Sequence, residues 1–145
     1  MDDWRGWIRY FQYENIQKRK DLIFLYAGSL DTSEILNPEF GVWETGPTLP
    51  IDSKAGCAVT LNDEETKHLL VPGETANGQT WTYDWLGSRT WEDAGTLSVA
   101  GNFNFKCTRV LVENGARDIV VVAGGRLNDD SLVTVDIYNI ASGTW

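Results

Sequence analysis

Residues 120–145 read VVVAGGRLNDDSLVTVDIYNIASGTW, and this stretch decides the fold. An apolar run closes on Gly124-Gly125, a polar loop follows, and an alternating segment carries Tyr138. Trp145 comes seven residues later. A glycine pair after an apolar strand also opens nucleotide-binding loops. Here no third glycine follows in register, and SLVTVDIYN alternates like a strand instead of opening a helix. The pair is therefore read as structural.

Working outward, the same order of features occurs twice more. TSEILNPEFGVWETGPTLP (32–50) and TWTYDWLGSRTWEDAGTLSV (80–99) align with LVTVDIYNIASGTW (132–145). Their tryptophans, Trp43, Trp91 and Trp145, are 48 and 54 residues apart. Upstream of each lies an apolar run ending in glycine: LIFLYAGS, HLLVPGE and IVVVAGGR. Further upstream come AGCAVTLN and FKCTRVLVEN, with Cys57 and Cys107 at matching places, and WIRYFQYEN fills that slot in the first copy. All these segments are short, rich in Val, Ile, Tyr, Thr and Trp, and bounded by Gly, Asn, Asp and Pro, which is strand chemistry. None carries a helical stripe. Each unit thus has four strands, a to d. In the third, a is expected at 105–113, b at 119–123, c at 132–138, and d from Thr144.

Four-stranded antiparallel units at a period of about 50 residues point to a β-propeller. The residues resemble the kelch repeat: Gly124-Gly125 after strand b, Tyr138 on c, and Trp145 on d. In that family the glycines let the backbone approach the tyrosine and tryptophan packed beneath. The first unit has Gly28-Ser29 and Leu36 in the glycine and tyrosine places. The second has Pro72-Gly73, and its Tyr83 stands eight residues before Trp91. The expected fold is all-β, a partial propeller of about three kelch-type blades in one domain. Repeat 1 spans about 4–50, repeat 2 about 51–99, and repeat 3 about 100–145. Gly28, Trp43, Gly73, Tyr83, Trp91, Gly124, Gly125, Tyr138 and Trp145 are its structural markers. The third blade lacks its outer edge, so the expectation is a fragment that aggregates or self-associates.

Charge and composition narrow the function. Twelve basic against twenty-one acidic residues give a net charge of −9, which disfavours nucleic acid and anionic membrane surfaces as partners. No stretch has the length of a membrane span, the first residues do not read as a signal peptide, and there is no Asn-x-Ser/Thr acceptor. These features, with two cysteines, lean towards the cytoplasm. Packed sheets lie ~10 Å apart, so Cys57 and Cys107 are expected as free buried thiols. His68 is expected in a surface turn, pairing near Leu61 and roughly 13 Å from Cys57, too far for a catalytic pair. One histidine and two separated cysteines do not make a zinc or copper site, so no metal or cofactor is expected.

Copper-dependent galactose oxidase and the sialidases share the propeller architecture. The first needs more than one histidine ligand. The sialidase signature is approached only by ETANGQTW (74–81), which puts Glu74 and Ala76 where Ser and Asp belong. The expected function is a kelch-type protein-interaction module without catalysis, such as a substrate adaptor or cytoskeletal scaffold. The alternative is a non-catalytic remnant of a galactose-oxidase-like or carbohydrate-acting enzyme. Antiparallel topology brings the b–c and d–a loops to one end of every blade. In kelch substrate receptors that end holds peptide motifs, so the resemblance implies Lys54, Asn77, Asn102, Phe103 and Arg126 as partner-binding residues.

Overall fold

The computed structural model describes residues 23–26, 31–37, 40–51, 54–63, 66–73, 77–100, 104–112, 117–128 and 130–145. These form antiparallel β-sheets, and no helix occurs among the described residues. Two units separate, Met1–Asp52 and Ser53–Trp145. In the first, β1 (Ile23–Tyr26), β2 (Ser33–Asn37) and β3 (Val42–Thr45) pair in sequence order. The chain leaving β3 turns back on β2: Gly46 N–H donates to Ser33 O (2.8 Å), and the buried Ser33 hydroxyl donates to Pro47 O (2.6 Å). The expected strand a of this unit, WIRYFQYEN, and the marker Gly28 lie outside the described residues.

The second unit holds a complete four-stranded meander and a partner sheet. The meander runs β4 (Lys54–Thr60), β5 (Lys67–Gly73), β6 (Gln79–Asp84) and β7 (Trp91–Thr96). Its neighbour contains β8 (Lys106–Val112), β9 (Arg117–Ala123) and β12 (Val135–Asn139). Between β9 and β12, the chain makes a small ribbon of β10 (Arg126–Leu127) and β11 (Asp130–Ser131). That ribbon corrects the expected bounds of strand c, which begins at Val135 and not at 132. Gly124 N–H donates to Thr134 O and Leu132 N–H to Gly125 O, which uses residues 132–134 to close the ribbon. Thr144 then bridges Asn139, where strand d was expected to begin.

Alternation decides which side chains are buried. Val120, Val122 and Tyr138 share one face of the second sheet and are buried, while Ile137 on the other face is 52% exposed. They pack with Val59, Leu69 and Val71 of the meander and with Phe105 from the connecting loop. A fully buried side chain of this size contributes about 1.5–3 kcal/mol, so this inter-sheet core is the main support of the unit.

The c–d pairing repeats in all three copies. Leu36 faces Trp43 and Tyr83 faces Trp91 in register. The bridge Asn139–Thr144 brings Tyr138 to Trp145, with ring centroids 5.2 Å apart, close to the 4.9 Å of Tyr83 and Trp91. The extra residue between Tyr83 and Trp91 is absorbed in the turn at 85–90, where Arg89 adopts a positive φ of 54°. Register, not spacing, is what the copies share.

Three expectations need correction. The side chains of Cys57 and Cys107 form a disulfide, with Cα atoms 6.2 Å apart. The ~10 Å spacing applies to sheets stacked face to face, whereas here the edge strands β4 and β8 approach each other. His68 is not in a turn: it is the second residue of β5, paired with Thr60 and Tyr83 and half-buried. Close approach to the aromatic rings is not what requires Gly124. A Cβ at Gly124 would meet open space, and both glycines are required for their φ angles of 70° and 108°. The glycine against Trp145 is Gly95 of β7, where a Cβ would come within 3.2 Å of the indole.

Candidate functional site

Strand direction in the second unit gathers one set of connections at one end. Lys54 pairs with Gly73, Gln79 with Thr96, and Ala123 with both Lys106 and Val135. The described parts of their connections, 77–78, 97–100, 104–105, 124–128 and 130–134, therefore gather at one end. Of the b–c and d–a loops inferred from the sequence, those within the second unit belong to this end.

Local hydrogen bonds hold the described residues of these loops. The Asn77 side-chain carbonyl accepts the Gln79 N–H (3.1 Å), an Asx turn that leads into Gly78 at φ 66°. Gly78 O then accepts Leu97 N–H (3.0 Å), joining the b–c loop to the start of the d–a loop. One residue on, Ser98 donates from both its N–H and its hydroxyl to the Asp136 carboxylate (3.1 Å each), reaching across to β12. Arg126 is exposed at the start of β10, and Asn128 turns the ribbon with φ 51°.

Of the five residues inferred to bind a partner, three fall at this end among the described residues: Lys54 by its backbone position, Asn77 and Arg126. Asn102 and Phe103 lie outside the described residues. Sequence reasoning passed over Lys106, exposed at the first position of β8 as Lys54 is first in β4. Aligned on Cys57 and Cys107, Lys106 falls opposite Gly56 and not Lys54, so the repeat alignment held no signal for it. Reasoning from sequence also passed over Val133, 97% exposed beside the ribbon, because it was assigned to the interior of strand c.

The opposite end is built differently. Arg109 on β8 donates from Nε to both carboxylate oxygens of Asp118 (2.8 and 2.9 Å) and from a terminal nitrogen to Asp63 (2.8 Å) and to Asp118. Hydrogen bonding to Asp118 holds the guanidinium ionised against the opposing effect of burial, and Asp63 adds to it. Such a bidentate clamp ties Asp63 to the second sheet and leaves its charges paired. Nearby, burial pushes His68 down to about 4, partly opposed by the Asp84 carboxylate. Its ring is therefore neutral near pH 7 and Nδ1 lies 3.5 Å from the Thr60 hydroxyl.

Among the described residues, no three His, Cys, Asp or Glu side chains converge as metal ligands, and no helix is long and apolar enough to cross a membrane. Chemically, the described residues of the loop end offer amide, hydroxyl, lysine and arginine groups next to strand ends. No family model matches this sequence, and no curated protein matches it.

Proposed function

We propose that this chain is part of a kelch-type β-propeller and acts as a non-catalytic protein-interaction module. The observation that carries the reading is the threefold c–d register, Leu36 with Trp43, Tyr83 with Trp91, and Tyr138 with Trp145. Three copies of one c–d register, two of them carrying a Tyr–Trp pair, support a repeat architecture, in which each unit buries its face against a neighbour. Rigid sheets carrying shaped loops at one end are a common scaffold for recognition.

In this reading, partner proteins engage the end formed by the b–c and d–a loops through Lys54, Asn77, Asn102, Phe103 and Arg126. A net charge of −9 repels strongly acidic partners except where these basic groups focus positive potential. No metal or cofactor takes part, and nucleic acid and membranes are not partners. The setting we propose is the cytoplasm, in an adaptor or a cytoskeletal scaffold.

The test starts from peptides selected on the purified chain from a displayed random library. Each is titrated against Arg126→Ala and against Lys67→Ala, at the opposite end. Arg126→Ala should weaken binding about fivefold or more, as for a contact worth over 1 kcal/mol, with Lys67→Ala near wild type. Equal losses at the two positions, or no selectable peptide, would refute the assignment.

A further inference from the structure

Cys57 and Cys107 are joined across two sheets that share no ladder. β4 pairs with β5 and β8 with β9, and each is the edge strand of its sheet. The bond between them closes a separation of 50 residues. Two other ties between the sheets lie away from this seam, the Trp145 indole on Thr80 and Ser98 on Asp136, while Arg109 of β8 reaches Asp63 just beyond β4. At the seam the disulfide is the covalent tie, with the Arg109–Asp63 ion pair beside it at the end away from the loops. Access is unequal, since Cys57 is 5% exposed while Cys107 is only partly buried.

We infer that the Cys57–Cys107 disulfide is a redox-sensitive staple that fixes β4 against β8 when oxidised and frees that seam when reduced. The reductant is a dithiol, reaching the pair from the Cys107 side. Its thiolate attacks the Cys107 sulfur, a mixed disulfide forms, and Cys57 leaves as a thiolate that takes up a proton. The second thiol of the reductant then displaces Cys107, which is protonated in turn. Two electrons pass to the protein and the reductant departs as its own disulfide.

After reduction β4 and β8 keep their ladders with β5 and β9, and the remaining ties keep the sheets together. What is lost is the covalent constraint at the strands that start at Lys54 and Lys106, next to the loop end. In a reducing compartment, disulfides of mesophilic proteins are usually of this transient, responsive kind. The inference does not depend on whether the loop end binds a partner.

The experiment uses the full chain without denaturant. Iodoacetamide labelling at graded dithiothreitol is read by mass spectrometry, with backbone hydrogen exchange in parallel. Before reductant, no cysteine should label; afterwards both should. Exchange in β4 and β8 should rise on the order of tenfold, with β5, β6 and β9 unchanged, as for a local opening. The double variant Cys57→Ser/Cys107→Ser should exchange like the reduced protein and ignore dithiothreitol. Labelling before reduction, a need for denaturant, unchanged exchange, or global unfolding on reduction would each overturn the inference.

Discussion

Thr80→Val removes one hydroxyl with almost no change of shape, at a point where two sheets meet. Thr80 is fully buried; its hydroxyl donates to Gly95 O (2.8 Å) and accepts the Trp145 indole N–H (2.9 Å). Valine leaves that indole N–H without its acceptor, while the exposed Gly95 can turn to water for its lost donor. A buried donor left unsatisfied costs about 1–3 kcal/mol. For a chain of this size each kcal/mol lowers the melting temperature by about 2–4 °C, so a loss near 2 kcal/mol gives a fall of about 4–8 °C. Thermal unfolding followed by tryptophan fluorescence reads this directly. Thr80→Ser, which keeps the hydroxyl, should lose less. Trp145→Phe combined with Thr80→Val should lose less than the sum of the two, because the orphaned N–H is gone. A Thr80→Val protein within ~0.5 kcal/mol of wild type, with strictly additive doubles, would mean that the indole does not dock there.

Two further outcomes follow from the same geometry. His68 has its folded value lowered from 6.5 to about 4 by burial, so the unfolded chain binds a proton first as pH falls. Its share of stability, of order 3 kcal/mol, is present above pH 6.5 and is lost as pH falls towards 4. Urea midpoints across that range should fall less steeply in His68→Gln, and identical slopes would rule out the buried neutral imidazole. Gly125→Val places a β-branched residue at φ 108° and should cost about 1–3 kcal/mol in chemical denaturation with no ligand present. An unchanged midpoint would contradict a structural role for the glycine pair.

The strands were legible because their signals are local. Alternating Val120–Val122 and Tyr138, the glycine pair and the recurring WE…TL segments reveal strand content and repeat order without any knowledge of packing. The Tyr83–Trp91 pairing was legible as a motif but not as a register, since an insertion in a turn leaves the ladder intact. What escaped was long-range. Free thiols followed from a face-to-face spacing, and only the approach of two edge strands reveals that Cys57 meets Cys107. Likewise, the contact of Gly95 with Trp145 was not legible, because Gly95 lies in the preceding repeat and no local pattern links the two. At the loop end, strand order was enough to bring Lys54, Asn77 and Arg126 to one side. The Ser98–Asp136 link needed the fold of both sheets.

The central claim is that a Tyr–Trp pair recurs between strands c and d of the second and third repeats, and that Trp145 of the third is held against the second. The most direct measurement is an NMR spectrum of ¹⁵N-labelled tryptophan indoles with nuclear Overhauser contacts. The account predicts a slowly exchanging Trp145 indole N–H with contacts to the Thr80 side chain, and Trp145 ring contacts to the Gly95 α-protons and the Tyr138 ring. A rapidly exchanging Trp145 indole without contacts to residues 80 or 95 would contradict it.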